Sequence, residues 1–162
     1  MQVKDWMERR PVTISPQETL LKAWRLIRER RVRHLPVVDG GRVVGIVTDR
    51  DLRQALPSRA VGLELHEAPH LAEKVRIWEV MSRVVVTVRP DAPVEEATDL
   101  LLRYRIGGLP VVNGDILVGI ITKTDLLRAF LHRAEPGLGR QTRSRPRTKT
   151  RKLTRRPRRR SR

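Results

Sequence analysis

The apolar positions of the chain fall into short blocks of distinct spacing, and each block reads as one element. Val12-Thr13-Ile14 is a β-prone stretch closed by Pro16, which cannot donate to a ladder, so it predicts a short strand. Leu20, Ala23, Trp24 and Ile27 recur at three- and four-residue intervals, the spacing of one helical face. Pro36–Val38 and Val43–Val47 are apolar runs joined by Asp39-Gly40-Gly41, which predicts a hairpin. A second helix opens near Asp49–Asp51 and carries Leu52 inward.

The whole order returns 74 residues later without a gap. Leu35-Pro36-Val37-Val38 becomes Leu109-Pro110-Val111-Val112, Gly45-Ile46 becomes Gly119-Ile120, and Met7 becomes Met81. Thr48 and Asp51-Leu52 become Thr122 and Asp125-Leu126. Of the 47 positions from Trp6 to Leu52, 19 are identical to their partners in Val80–Leu126. Such self-similarity predicts two copies of one β-α-β-β-α unit. In the second copy a strand covers Val84–Val88, and a helix buries Val94, Ala97, Leu100 and Leu101, with Pro93 in its first turn. A hairpin turns at Asn113-Gly114-Asp115, and a closing helix from Lys123–Asp125 carries Leu126, Leu127, Phe130 and Leu131.

The fold class is therefore α/β (α+β), two tandem repeats with pseudo-twofold symmetry. A unit this short buries little surface alone, so the copies are expected to pack sheet against sheet. Residues 1–56 form the first repeat and 80–132 the second. A linker, 57–79, is expected to hold a short helix around Leu71-Ala72-Glu73-Lys74-Val75, and 133–162 is expected to be a disordered, arginine-rich tail.

Composition alters this picture chiefly at the C-terminus. The aromatic residues are few (Trp6, Trp24, Trp78, Tyr104, Phe130), so the core must be aliphatic. No cysteine is present, which excludes a disulfide framework and a thiolate metal site or nucleophile. No apolar run approaches the roughly 18 residues of a membrane span. The first residues carry no apolar signal stretch, so a cytoplasmic protein without membrane attachment is expected. The net charge is +17, but 14 of the 35 Lys/Arg and one acid, Glu135, lie in residues 133–162. The remaining 21 Lys/Arg and 17 Asp/Glu leave the body near neutral. The densest run holds Arg151, Lys152, Arg155, Arg156, Arg158, Arg159 and Arg160, too polar to form a core. Two readings stand for it: an arm that binds RNA or DNA without sequence preference, lacking aromatic residues to stack on bases, or a solubilising tail.

Leu-Pro-Val-Val before a turn and Gly-Ile-Val-Thr-Asp-Arg-Asp-Leu after it, doubled at one offset, resemble the CBS domain, named after cystathionine β-synthase. The tandem pair resembles a Bateman module, and its linker resembles stand-alone pairs of the AcuB type without their C-terminal ACT domain. The resemblance covers about residues 1–132. It implies a non-catalytic regulatory module, a homodimer, that binds an adenosyl small molecule (AMP, ADP, ATP or S-adenosylmethionine) in clefts between the repeats. The site residues it implies are Thr48 and Asp51, and Thr122 and Asp125. A carboxylate can accept both ribose hydroxyls, and the Thr three residues earlier can meet the same sugar. A plainer role also fits, in which the two aspartates satisfy N–H groups at their own helix starts.

The resemblance further implies that each cleft borrows residues from the opposite repeat. The Thr122/Asp125 cleft would receive Arg33, His34 and Arg50, a cationic set, unless these arginines are simply solvated. The Thr48/Asp51 cleft would receive Gly107, Gly108 and Thr124, which are uncharged. The first is thus expected to take the phosphorylated nucleotide, and the second to be weak, empty or to hold an uncharged adenosyl portion.

Other chemistries fare poorly. His66-Glu67-Ala68-Pro69-His70 matches the zinc-protease pattern H-E-x-x-H, yet Pro69 would break the helix that must present both histidines. Ser15, Ser58 and Ser82 lack a nucleophile-elbow setting, and no phosphate-binding Gly-rich loop occurs. Trp24 sits on an amphipathic face and reads as core. Neither a catalytic centre nor a metal site is expected.

Overall fold

The computed structural model describes residues 1–55 and 72–134. The tail residues Arg151 to Arg160 and the His66–His70 motif lie outside the described residues. The first unit comprises α2 (Leu20–Arg30), β1 (His34–Asp39), β2 (Arg42–Thr48) and α3 (Asp49–Ala55), preceded by the one-turn helix α1 (Val3–Trp6). The second repeats the order with α4 (Ile77–Val80), α5 (Val94–Arg103), β3 (Gly108–Asn113), β4 (Ile116–Thr122) and α6 (Lys123–Ala134).

Local chemistry sets these boundaries. Thr19 caps α2, its hydroxyl accepting from the Lys22 N–H at 3.2 Å. Pro93 is the N-cap of α5 with extended ψ of 149°, one position ahead of the expected first turn. Its side chain offers no acceptor to cap the helix, and its carbonyl accepts from the N–H groups of Glu96 at 3.1 Å and Ala97 at 3.4 Å. Between β1 and β2, Gly40 and Gly41 have φ of 53° and 82°, which a residue with a Cβ adopts only with strain. The expected strands at 12–14 and 84–88 shrink to single parallel bridges, Ile14 to Val37 and Val88 to Val111. Pro16 and Pro90 follow two residues later and cannot donate the next bond.

The two hairpins form one antiparallel sheet in the order β1-β2-β4-β3. They join edge to edge at the pair Arg42–Ile116, through Val43 N–H to Asp115 O and Leu117 N–H to Gly41 O, both 3.1 Å. This replaces the expected stacking of sheet on sheet, because each hairpin's apolar face is covered by its own helices. One core gathers Ile14, Leu20, Ala23, Leu35, Val37, Val47 and Leu52; the other gathers Val88, Val94, Ala97, Leu109, Val111, Ile121 and Leu126. Trp24 packs against the first core with the Arg28 guanidinium 5.4 Å from its ring centre.

Packing crosses the division that the repeat suggests. Val3, Trp6 and Met7 belong to the second core, and Ile77, Val80 and Met81 to the first. Val3 and Lys4 donate to Ala92 O and Pro90 O, and Glu8 exchanges both backbone bonds with Ile120. Ile77 and Trp78 donate to Glu18 O and Pro16 O, and Ser82 exchanges both bonds with Ile46. Every partner in the first set has its counterpart 74 residues away in the second. Each unit is thus closed by the segment that precedes the other. Among the described residues no helix is long and apolar enough to cross a membrane.

Candidate functional site

Each hairpin ends in a threonine at the strand-to-helix turn, and that turn fixes the aspartate three residues on. Asp51 Oδ2 accepts from the Thr48 N–H at 2.8 Å and from its hydroxyl at 2.7 Å. Asp125 Oδ2 accepts from the Thr122 N–H at 3.0 Å and from its hydroxyl at 2.6 Å. In both turns one oxygen is spent on the backbone, so the capping role is real. The other oxygen differs. Oδ1 of Asp51 has no hydrogen bond among the described residues, whereas Oδ1 of Asp125 accepts from Arg128 at 3.1 Å. Residue 54, the counterpart of Arg128, is Gln54.

Two clefts open beside these turns. The larger, about 1070 Å³, brings Thr122 and Asp125 together with Arg33 and His34 from the opposite repeat. The smaller, about 350 Å³, brings Thr48 and Asp51 together with Gly107 and Gly108. Two expected partners are not exchanged. Arg50 lines the Thr48/Asp51 cleft, and Thr124 lines the Thr122/Asp125 cleft. Each sits in the first turn of the helix that carries its own aspartate and lies on the side of that aspartate's cleft. The crossing is made by the residues that lead into β1 and β3.

The clefts differ in charge. Arg10, Arg30, Arg31, Arg33, Lys123 and Arg128 line the larger, against Glu8, Glu29 and Asp125. In the smaller, Arg50 and Arg105 balance Asp49 and Asp51. Sequence reasoning missed most of these cations. Lys123 was legible, because it stands where the first repeat has Asp49. Arg10 and Arg30 carried no local signal. The opposed helix starts alone shift the balance toward anions in the larger cleft.

His34 stands between the two clefts and lines both. A Cβ on Gly107 would come within 2.8 Å of its Nε2, so the glycine is what admits the imidazole. Burial lowers its pKa below 6.5; Asp49 opposes this, Arg33 supports it, Asp51 opposes it and Lys123 supports it. Among the described residues no group of His, Asp or Glu could hold a metal ion.

Known proteins share this architecture. The CBS-domain profile matches residues 3–58 and 77–132. A Vibrio cholerae chain described as an acetoin utilization protein (AcuB) is 35% identical with a TM-score of 0.70, covering 83% of this chain and 93% of that one. The CBS domain pair of protein MJ0100, in complex with 5′-methylthioadenosine and S-adenosyl-L-methionine, is 31% identical with a TM-score of 0.69, covering 82% and 98%. CBSX2 in complex with AMP is 29% identical with a TM-score of 0.68, over the same shares. The chain spans 23% and 47% of the lengths of two relatives from Methanocaldococcus jannaschii, the first an L-aspartate semialdehyde sulfurtransferase. With its doubled turn, its crossed clefts and both repeats matched, the chain belongs to the CBS-domain family as a tandem pair.

Proposed function

We propose that this chain is a non-catalytic regulatory module that binds adenosine nucleotides in the clefts between its repeats. The observation that carries the reading is the larger cleft. There a threonine–aspartate turn suited to a ribose faces Arg33 and His34, which are suited to a phosphate. The excess of cations favours a phosphorylated nucleotide over S-adenosylmethionine, which carries a positive sulfonium and no phosphate. The smaller cleft, balanced in charge, is the weaker site. Solved CBS pairs of the same fold hold AMP in one case and S-adenosyl-L-methionine in another, which supports an adenosyl ligand here.

The module works as a homodimer in this reading. Leu102 on α5 and Leu127 and Leu131 on α6 are 68%, 64% and 69% exposed, apolar side chains that a second copy would cover. A thermal-shift screen with AMP, ADP, ATP and S-adenosylmethionine tests the sensor role. A nucleotide at 100 times its Kd adds about 2.7 kcal/mol to the folded state. A nucleotide shift larger than that of S-adenosylmethionine is expected, and no shift with any adenosyl compound would overturn the reading.

A further inference from the structure

Two arginines outside the recognised turns share an uncommon conformation. Arg31 and Arg105 both have φ of 53°, and they are the residues other than glycine with positive φ among those described. They are also repeat counterparts, 74 positions apart. Each follows its helix, α2 or α5, at the point where the chain reverses. The next residue closes the turn: Val32 N–H donates to Ile27 O at 3.2 Å and Ile106 N–H to Leu101 O at 3.1 Å. That six-to-one bond marks a Schellman ending, in which glycine is the usual occupant because a Cβ is strained there.

Among the described residues neither arginine is held in place by a partner. Both are exposed, and neither guanidinium forms a hydrogen bond or ion pair among the described residues. What they share is position. Arg31 lines the cleft of Thr122 and Asp125, and Arg105 lines the cleft of Thr48 and Asp51. Each helix ending thus sends one cation across to the other repeat's aspartate. The helix ending requires the left-handed turn but not an arginine in it, and an arginine where glycine is the unstrained choice, at both counterpart positions and facing a cleft each time, points to a binding role.

We infer that Arg31 and Arg105 are a crossed pair of anion-binding residues, each contacting the phosphate of a nucleotide seated on the opposite repeat's aspartate. The inference rests on the nucleotide reading above and extends it: the smaller cleft, through Arg105 and Arg50, also accepts a phosphorylated ligand rather than an uncharged adenosyl group.

The experiment pairs stability with binding in the full chain. Arg31→Gly and Arg105→Gly relieve the backbone and remove the cation together. The unliganded melting temperature is expected to rise by about 2–4 °C. Calorimetric affinity for ATP is expected to fall about tenfold at the matched cleft, while Arg31→Lys and Arg105→Lys stay within about threefold of the parent. Arg31→Gly should weaken the same site that Asp125→Ala weakens and spare the one that Asp51→Ala weakens, and the reverse should hold for Arg105→Gly. Glycine variants that melt higher and bind ATP as well as the parent would overturn the inference and leave the nucleotide reading intact. If the parent chain binds no ATP, the nucleotide reading fails. The arginines are then judged with inorganic triphosphate, which needs the cations and not the ribose site. Equal triphosphate affinity in parent and glycine variants overturns them too.

Discussion

At the scale of single residues, the two aspartates show how far a motif carries. The Thr-x-x-Asp spacing was legible, and so was the geometry it implies, because a threonine and an aspartate three apart at a helix start bond each other on any scaffold. The state of the remaining carboxylate oxygen was not legible. It depends on Arg128 in one turn and Gln54 in the other, residues a whole helical turn away. His34 is similar. Its place before Leu-Pro-Val-Val was readable, but neither the burial that lowers its pKa nor the close approach of Gly107 and Gly108 from the other repeat was. A histidine held below its unfolded value favours the neutral form in the folded state. Its contribution to stability is complete above pH 6.5 and is lost as pH falls through the folded pKa. NMR titration of the His34 ring should therefore show a midpoint below 6.5, and the melting temperature should fall less between pH 7 and 5 in His34→Gln than in the parent. A midpoint at or above 6.5 would contradict the burial argument.

At the scale of elements, the helices and hairpins followed their apolar spacing and turn residues closely. The edge strands did not, because Pro16 and Pro90 stop each ladder after one pair. The exchange of closing segments was invisible for a different reason. An offset of 74 says which residues are equivalent, and equivalence is silent about which copy a segment packs on. One trace was present in Gly45 and Gly119, glycines inside otherwise apolar strands. Each admits the partner segment: a Cβ on Gly119 would meet Met7 Sδ at 2.6 Å and Glu8 O at 2.9 Å, and one on Gly45 would meet Met81 Sδ at 2.5 Å and Ser82 O at 3.2 Å. Methionine side chains can move aside, but a backbone oxygen in a two-bond exchange cannot. Gly119→Ala is therefore expected to cost about 1–3 kcal/mol in chemical denaturation, and Gly45→Ala less, its oxygen being farther away. Equal stability of Gly119→Ala and the parent would show that residues 1–8 do not hold the second unit together.

At the scale of the molecule, the charge is split between a nearly neutral body and a strongly basic tail. If about six tail cations contact phosphates, binding of the full chain to duplex DNA should weaken with salt at a logarithmic slope near −5. Residues 1–132 should show none of that binding, and retention of it would move the nucleic-acid role to the body. Within the body, the repeat was legible from end to end, but its asymmetry was legible only in part. Arg33 and His34 against Gly107 and Gly108 announced it. Arg50 and Thr124 misled, because sequence spacing cannot show that a helix's first turn faces its own cleft. The difference between the clefts is now set by the lining as a whole: an excess of positive charge around Asp125, and balance around Asp51. Calorimetric titration of the full chain with ATP, beside Asp125→Ala and Asp51→Ala, tests this most directly. The tighter site should weaken about 10- to 100-fold in Asp125→Ala, the loss of one charge-assisted contact to the ribose, and stay near the parent value in Asp51→Ala. Loss of the tighter site in Asp51→Ala with Asp125→Ala unaffected would contradict the account.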